Sequence, residues 1–201
     1  MNRFYLLLIV LVLMCTPVSA ATGPPLSIGG FEMGGYLTDH KDRVDMESLL
    51  PLRQNRYLHE VEILETDNFE SGLIWIGNCA DPGRIVRIKL KYADASRKFY
   101  EELLKRFKQR FGEPAEWRGD PFRIVIAWKW SITDTSGNRI SMILQHNSRD
   151  TEESMGNSLK LTAWELVDAE RQCWQDKTTQ TKGKIEVKKT GPPDWDQLIP
   201  R

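Results

Sequence analysis

The sequence predicts an α+β domain: an antiparallel sheet of about five to six strands, with one long amphipathic helix packed on one face. One observation is strict alternation over residues 86–92, where apolar Val86, Ile88, Leu90 and Tyr92 interleave with Arg87, Lys89 and Lys91. A second is that the apolar period then changes to about 3.6 over residues 96–111. The third is composition: 201 residues, 40% hydrophobic and 28% charged, match a globular chain and exclude a disordered one or a rod.

The first half of the chain is predicted to contain three strands and the helix. Residues 57–63 and 71–78 precede the strand at 86–92, and Asp81-Pro82-Gly83 supplies turn residues between the last two. Before them, residues 21–56 are expected to be irregular, apart from a short extended piece at 26–31.

The helix is predicted from four apolar residues in steps of four: Phe99, Leu103, Phe107 and Phe111. Asp94 or Ser96 can cap its start, and Gly112 and Pro114 end it in the usual order. Its other face is basic, so a helix lying on a membrane surface is an alternative. We favour packing on the sheet, because the segment is short and its neighbours are strands.

The second half repeats the order of the first, giving β-β-β-α-β-β-β-α in total. Strands are predicted at 122–130, 139–146 and 159–164, with a short helix at 165–175. Short turns between successive strands indicate antiparallel pairs. We therefore predict one domain over residues 21–176, followed by a flexible polar tail over 177–201.

Residues 1–20 predict a cleavable signal peptide, hence a periplasmic or secreted protein. Arg3 is followed by an apolar run and then by the small residues Val18-Ser19-Ala20. A membrane anchor is the first alternative, but the run is shorter than the ~20 residues that span a bilayer. A lipoprotein acylated at Cys15 is the second, disfavoured because Met14 is not small.

Cleavage leaves Cys79 and Cys173, which we predict to form a disulfide. Exported cysteines in a pair are usually bonded. This bond would tie the last helix to the edge of the turn at 81–83. A reactive thiol is the alternative, but no CxxC motif supports one.

Motifs for enzyme chemistry are missing from the sequence. His40, His59 and His146 show no metal-ligand spacing, so no metal or cofactor is predicted. No GxSxG motif occurs, and the glycines of residues 29–35 neither follow a hydrophobic strand nor open a helix. These missing motifs make an enzyme less expected, but they do not exclude one.

The candidate ligand-binding residues are basic and belong to predicted strands. Charge is balanced in total, 28 basic against 28 acidic, which removes the usual argument for nucleic-acid binding. If the helix covers the apolar side of residues 86–92, the opposite side presents Arg87, Lys89 and Lys91, and neighbouring strands add Arg123 and Lys129. Such a face, bordered by Trp75 or by Trp128 and Trp130, suits an anionic or extended ligand. An ordinary solvated face is the alternative.

Three stretches carry a resemblance to known sequences: FYEELLKRFKQRFGEPAEW, GDPFRIVIAWKW and NRISMILQHN. Together they resemble an uncharacterised family of exported bacterial proteins, a domain of unknown function, over residues 30–177. The resemblance implies a location in the bacterial envelope. It transfers no catalytic residues, because the matching positions are packing residues.

The sequence therefore favours an exported, non-enzymatic binding module that engages an unknown protein or an anionic ligand of the cell envelope. An envelope enzyme of unrecognised type is the alternative, and a hydrolase inhibitor is a special case of the binding hypothesis that rests on fold analogy alone.

Overall fold

The computed structural model describes residues 27–133, 137–149 and 156–182. The predicted signal peptide and residues 183–201 of the predicted tail lie outside these ranges. Within them the chain is α+β with a large antiparallel sheet, as predicted, but the sheet has eight strands and a separate hairpin adds two more. The predicted strand count and order were therefore wrong.

The strands and helices follow one another in two similar series. A short hairpin and a 3-10 segment at Leu37–Arg43 come before the first series. The strands are β1 (Ser27–Ile28), β2 (Phe31–Glu32), β3 (Val44–Pro51), β4 (Leu58–Ile63), β5 (Phe69–Gly77), β6 (Ile85–Tyr92), β7 (Glu116–Trp117), β8 (Val125–Thr133), β9 (Arg139–Asn147) and β10 (Gly156–Ala163). The helices are α1 (Arg97–Phe111), after β6, and α2 (Trp164–Lys182), after β10.

The large sheet has the order β3-β4-β5-β6-β10-β9-β8-β7. Each half is a four-strand meander, and the two meanders meet where β6 pairs with β10. The predicted three-plus-three arrangement lacked β3 and β7. β3 has little regular alternation and its pairing with β4 shifts register between Asp45 and Leu50, whereas β7 has only two residues.

One face of the sheet, which we call the core face, carries the main apolar core. Ile88, Leu90 and Tyr92 belong to it, and the side chains of α1 pack against it. The Ser96 hydroxyl accepts the Phe99 amide at 3.2 Å, which caps the helix. Gly112 ends it with a φ of 80°, and its carbonyl accepts the Trp130 indole N–H at 2.8 Å. The predicted helix thus lies on the sheet.

The segment before β3 covers the rest of the core face. Phe31, Met33 and Leu37 are buried in the same core as the strands. The Arg43 guanidinium donates to the Gly29 carbonyl at 2.6 Å and lies over the Phe31 ring. This region was expected to be mostly irregular, but its apolar side chains are part of the main core.

The opposite face, which we call the open face, is covered by α2 at one end of the sheet and by no other element of the described ranges. There Val167 of α2 joins Leu58, Trp75 and Val86 in a second apolar cluster. We predicted that Val86 shares the helix-covered face with Ile88. It does not, because the β5–β6 register shifts at Trp75 and the bulge turns Val86 toward the second cluster.

A disulfide and a buried carboxylate hold α2 to the turn after β5. Cys79 and Cys173 are bonded, with Cα atoms 5.9 Å apart, as predicted. Glu170, only 2% exposed, accepts the amide N–H groups of Asn78, Cys79, Ala80 and Asp81 at 2.6–3.0 Å. We call this set the corner network.

The second helix is longer than the sequence indicated. It runs to Lys182, so the predicted boundary between domain and tail, at residue 176, falls inside it. Neither helix of the described ranges is both long enough and apolar enough to cross a membrane.

Candidate functional site

A row of long side chains crosses the open face from β5 to β8. Backbone pairing places Leu73 opposite Lys89, Lys89 opposite Lys160, Lys160 opposite Ile143, and Ile143 opposite Lys129. Neighbouring strands lie about 4.8 Å apart, so the four steps span roughly 19 Å. Three ammonium groups therefore lie along one line across the sheet.

Two shallow depressions meet along this row and share Lys89 as a common wall. The first, about 250 Å³, is lined by Glu62, Ile63, Ser71, Gly72, Leu73, Lys89 and Lys91. The second, about 270 Å³, is lined by Lys89, Arg118, Ala127, Ile143, Gln145, Ser158 and Lys160. We call the two together the lysine groove. Its lining combines long cationic side chains with small, apolar and polar ones.

The charges of the groove are only partly compensated. Lys91 pairs with Glu70 at 2.9 Å, and Lys129 pairs with Glu116 at 3.3 Å. Lys89 forms no ion pair with any residue that the structure describes. It stands directly opposite Lys160, and like charges in directly opposed positions of an antiparallel pair are destabilising. The centre of the groove therefore concentrates positive charge.

Gln145 adds a hydrogen-bond donor to the second depression. Its side chain is half-buried, and its Nε2 is fully shielded from solvent without an acceptor among the described residues. A buried amide without a partner is unfavourable.

Arg87 is on the open face but serves a different purpose. Its Nε donates to the Thr162 hydroxyl at 3.1 Å, and its guanidinium lies 5.5 Å from the centre of the Trp75 ring. Desolvation by burial lowers the pKa of Arg87 from its ordinary value. These contacts place it between the groove and the second apolar cluster, where it fixes Trp75.

The structure brings together four of the five predicted site residues. Arg87, Lys89, Lys91 and Lys129 share the open face. Arg123 does not join them, because it lies in the loop before β8 with a φ of 59°. Trp75 borders the face as anticipated, whereas Trp128 and Trp130 belong to the core side.

Two basic residues of the groove were missed in the sequence. Lys160 alternates with Leu159 and Leu161, so the sequence could have predicted on which face of the sheet its side chain lies. Its position beside Lys89 was not, because that depends on β10 pairing with β6 across a separation of about 70 residues. Arg118 follows a two-residue strand that leaves no periodic signal.

His146 is embedded in the fold, whereas His40 and His59 are partly exposed. His146 is buried and its Nδ1 lies 2.7 Å from Asn157 Oδ1, while Asn157 Nδ2 donates to the carbonyls of Asp94 and Ser96. Because the amide nitrogen is the donor there, Nδ1–H of His146 donates to the amide oxygen. The group fastens the start of α1 to the β9–β10 hairpin, beside Tyr100, whose pKa burial raises.

The described part of the chain also contains no cluster of metal-ligating side chains. No three histidine, cysteine, aspartate or glutamate side chains come close enough within it to hold a metal ion. The lysine groove itself contains one carboxylate, Glu62, and no histidine.

Comparisons with known proteins add no relative: no family model, no curated protein and no solved structure matches this chain. The functional argument therefore depends on the geometry and charge of the open face.

Proposed function

We propose that the protein is an exported, non-enzymatic binding module that holds an extended anionic ligand in the lysine groove. The observation that carries this proposal is the direct opposition of Lys89 and Lys160 at the centre of the open face. An anionic or extended ligand is also what the sequence led us to expect.

The opposed lysines favour an anion because an anion placed between them can contact two ammonium groups at once. Two ammonium groups side by side repel each other, and an anion between them converts that repulsion into two attractions. The lysine pair therefore favours negative charge at the centre of the groove.

The groove's shape favours an extended ligand over a compact one. Its two depressions are shallow and lie end to end across roughly four strand spacings, about 19 Å. Cations recur along that line at Lys89, Lys160 and Lys129, with apolar Leu73 and Ile143 between or beside them. A chain that carries several carboxylates or phosphates matches this row of cations.

The test is binding of two defined polyanions. One is an oligo-glutamate peptide of roughly eight residues, long enough to cross the groove at about 3.3 Å per residue. The other is an oligogalacturonate, which carries the same carboxylates on a sugar chain. Neutral dextran serves as the reference ligand. We expect titration calorimetry to show binding of at least one polyanion that weakens as salt rises, and the stronger one identifies the ligand's backbone.

The variant Lys89→Gln/Lys160→Gln should weaken that binding at least tenfold, since two charge-assisted contacts are removed. Its matched control is Lys98→Gln/Lys105→Gln on the exposed side of α1, which should change binding less than about twofold. Equal weakening by both variants, or polyanion binding no stronger than dextran binding, overturns the proposal.

Export is the second part of the proposal. It is supported by the layout of residues 1–20 and by the Cys79–Cys173 bond, which is of the kind that persists in oxidising compartments. The resemblance to exported bacterial proteins points the same way. Mass spectrometry of the protein from a cell-envelope fraction should find an N-terminus at Ala21 and no free thiol. Replacing Leu7 and Leu8 with Arg should leave unprocessed, reduced protein inside the cell. Unprocessed wild-type protein in the cytosol would refute export.

A further inference from the structure

The loop between β7 and β8, residues 118–124, presents the most exposed large apolar side chain of the described residues. We call it the tip loop. Phe122 is 84% exposed, and Trp117 and Ile124 beside it are 38% and 36% exposed. Other exposed apolar side chains of the described residues include Met46 and Leu50 of β3 and Leu64, but none is as exposed as Phe122. The tip loop is therefore a distinct apolar surface.

The tip loop is held in place by its own hydrogen bonds. Asp120 Oδ1 accepts the Phe122 amide at 2.7 Å, and Asp120 Oδ2 accepts the amide of Val125. The Asp120 amide donates to the Val125 carbonyl at 2.9 Å, and the Arg123 amide donates to the Asp120 carbonyl at 3.1 Å. Arg123 adopts a φ of 59°, which is uncommon for a residue with a side chain. These hydrogen bonds therefore hold the turn in a conformation that leaves the Phe122 side chain exposed to solvent.

Basic side chains surround this apolar tip. Arg118 and Arg123 belong to the loop itself, and Arg149 adjoins it because the Ser148 amide and hydroxyl both donate to the Ile124 carbonyl, at 3.0 and 3.2 Å. Arg123 and Arg149 form no ion pair with any described residue. The loop's one acidic group, Asp120, is turned inward onto backbone amides. The surface offered to a partner is thus apolar at the tip and cationic around it.

We propose that the tip loop docks the protein onto an anionic phospholipid surface, with Phe122 entering the interface and the arginines contacting lipid phosphates. Charge complementarity selects an anionic surface. The size of the feature selects a bilayer over a protein: one projecting ring with two half-exposed neighbours is much smaller than the roughly 800 Å² per partner of a stable protein interface. A bilayer needs only an apolar anchor together with attracted cations. Apart from Arg118, which also lines the lysine groove, this inference uses different residues from that groove.

The test is binding to vesicles of equal parts phosphatidylglycerol and phosphatidylethanolamine, with phosphatidylcholine vesicles as the uncharged reference. The chain without residues 1–20 is used, because their apolar run would itself bind lipid; it keeps every described residue. We expect co-sedimentation with the anionic vesicles that weakens as salt rises. Phe122→Ser should lower the partition coefficient roughly tenfold or more. Arg123→Gln/Arg149→Gln should lower it about tenfold on anionic vesicles only.

Two controls separate the tip from the rest of the surface. Leu64→Ser removes another exposed apolar side chain, 47% exposed and far along the sheet order from β8, and should change binding less than about twofold. Lys89→Gln/Lys160→Gln should leave vesicle binding nearly intact. All variants are first checked for unchanged circular dichroism.

Three results would overturn the proposal: no binding of the wild type to anionic vesicles, equal loss from Phe122→Ser and Leu64→Ser, or loss with the groove variant alone. If Phe122 is instead required for a stable complex with an envelope protein while vesicles are not bound, the tip is a protein anchor and the membrane proposal is wrong.

Discussion

Among the carboxylates that accept backbone amides, Glu170 and Asp120 differ most clearly in how far along the sequence their partners lie. Glu170 reaches from α2 to four amides of residues 78–81, about 90 residues away in sequence. Asp120 bonds to the amides of Phe122 and Val125, two and five residues away. Glu170 is buried, whereas the tip loop that Asp120 organises projects into solvent.

The difference shows what each acceptor contributes. A buried long-range carboxylate supports tertiary structure, because losing it leaves several shielded N–H groups without an acceptor. A local carboxylate at the surface shapes one turn, because water replaces it at small cost. Changing Glu170 in the corner network should therefore affect global stability. Changing Asp120 should affect the local order of the tip loop.

The largest expected effect comes from removing the covalent link at the corner. In Cys79→Ser/Cys173→Ser, the 94-residue separation is no longer closed in the unfolded chain, and the chain-entropy model gives a loss of about 4–5 kcal/mol in unfolding free energy. Urea denaturation measures it. The wild type in excess reductant should show the same midpoint as the variant, and an unchanged midpoint in both would mean that the bond does not stabilise the fold.

Removing the buried carboxylate should be the next most damaging change. Glu170→Ala is expected to lower the unfolding free energy by about 3 kcal/mol, because four amides lose a charged acceptor at once. Gln175→Ala, on the exposed side of the same helix, should cost less than about 0.5 kcal/mol. Combined with the cysteine variant, the two losses should be less than additive, since both hold residues 78–81 to α2. Strict additivity would contradict a shared corner network.

Asp120→Ala should have a smaller global effect, about 1 kcal/mol or less. Its local effect is larger: the amides of Phe122 and Val125 should exchange hydrogen faster, because their acceptor is gone. Asp67→Ala, an exposed aspartate in a different turn, is the control. Unchanged exchange at Phe122 would show that the turn holds without the carboxylate.

The smallest effect is a pH dependence at the start of α2. Burial acts to raise the pKa of Glu165, but hydrogen bonds and charge from Arg139 outweigh it and hold that pKa below its ordinary value. Because the folded-state pKa is lower than the unfolded one, this stability is complete above the unfolded pKa and is lost as pH falls through the folded pKa.

The stability difference between the wild type and Arg139→Gln should therefore be constant near neutral pH and shrink below about pH 4.5. Thermal unfolding across pH measures it. Arg53→Gln, which removes an exposed arginine without an ion pair in the described structure, should show no such trend. A difference that grows on acidification would reverse the assigned sign.

Sequence patterns predicted the elements whose burial follows a simple period. β6 and α1 alternate or repeat cleanly, and both were found at nearly the predicted residues. β3 was missed because its residues mix charge, apolar side chains and a terminal proline at an irregular edge. Phe122 was assigned to a strand face by its spacing from Ile124 and Ile126, yet the Asp120 turn takes it out of the sheet.

The candidate site was predictable only within single strands. Alternation placed Lys89 and Lys91 on one side of β6, and Lys129 on one side of β8. Which strand lies beside β6 is decided by the pairing of two meanders far apart in sequence. The Lys89–Lys160 opposition is a product of that pairing, so no local pattern contains it.

The pairing of β6 with β10, which joins the two meanders, also determines the order in which the chain folds. Each meander is built from neighbouring strands and can form as soon as its own residues are available, whereas this pairing and the Cys79–Cys173 bond need both halves. Because the second half emerges after the first during synthesis, Cys79 must wait for its native partner until the 94 residues to Cys173 have been made. Oxidation at this pair is thus a late event, and its completion marks molecules whose two halves have joined correctly.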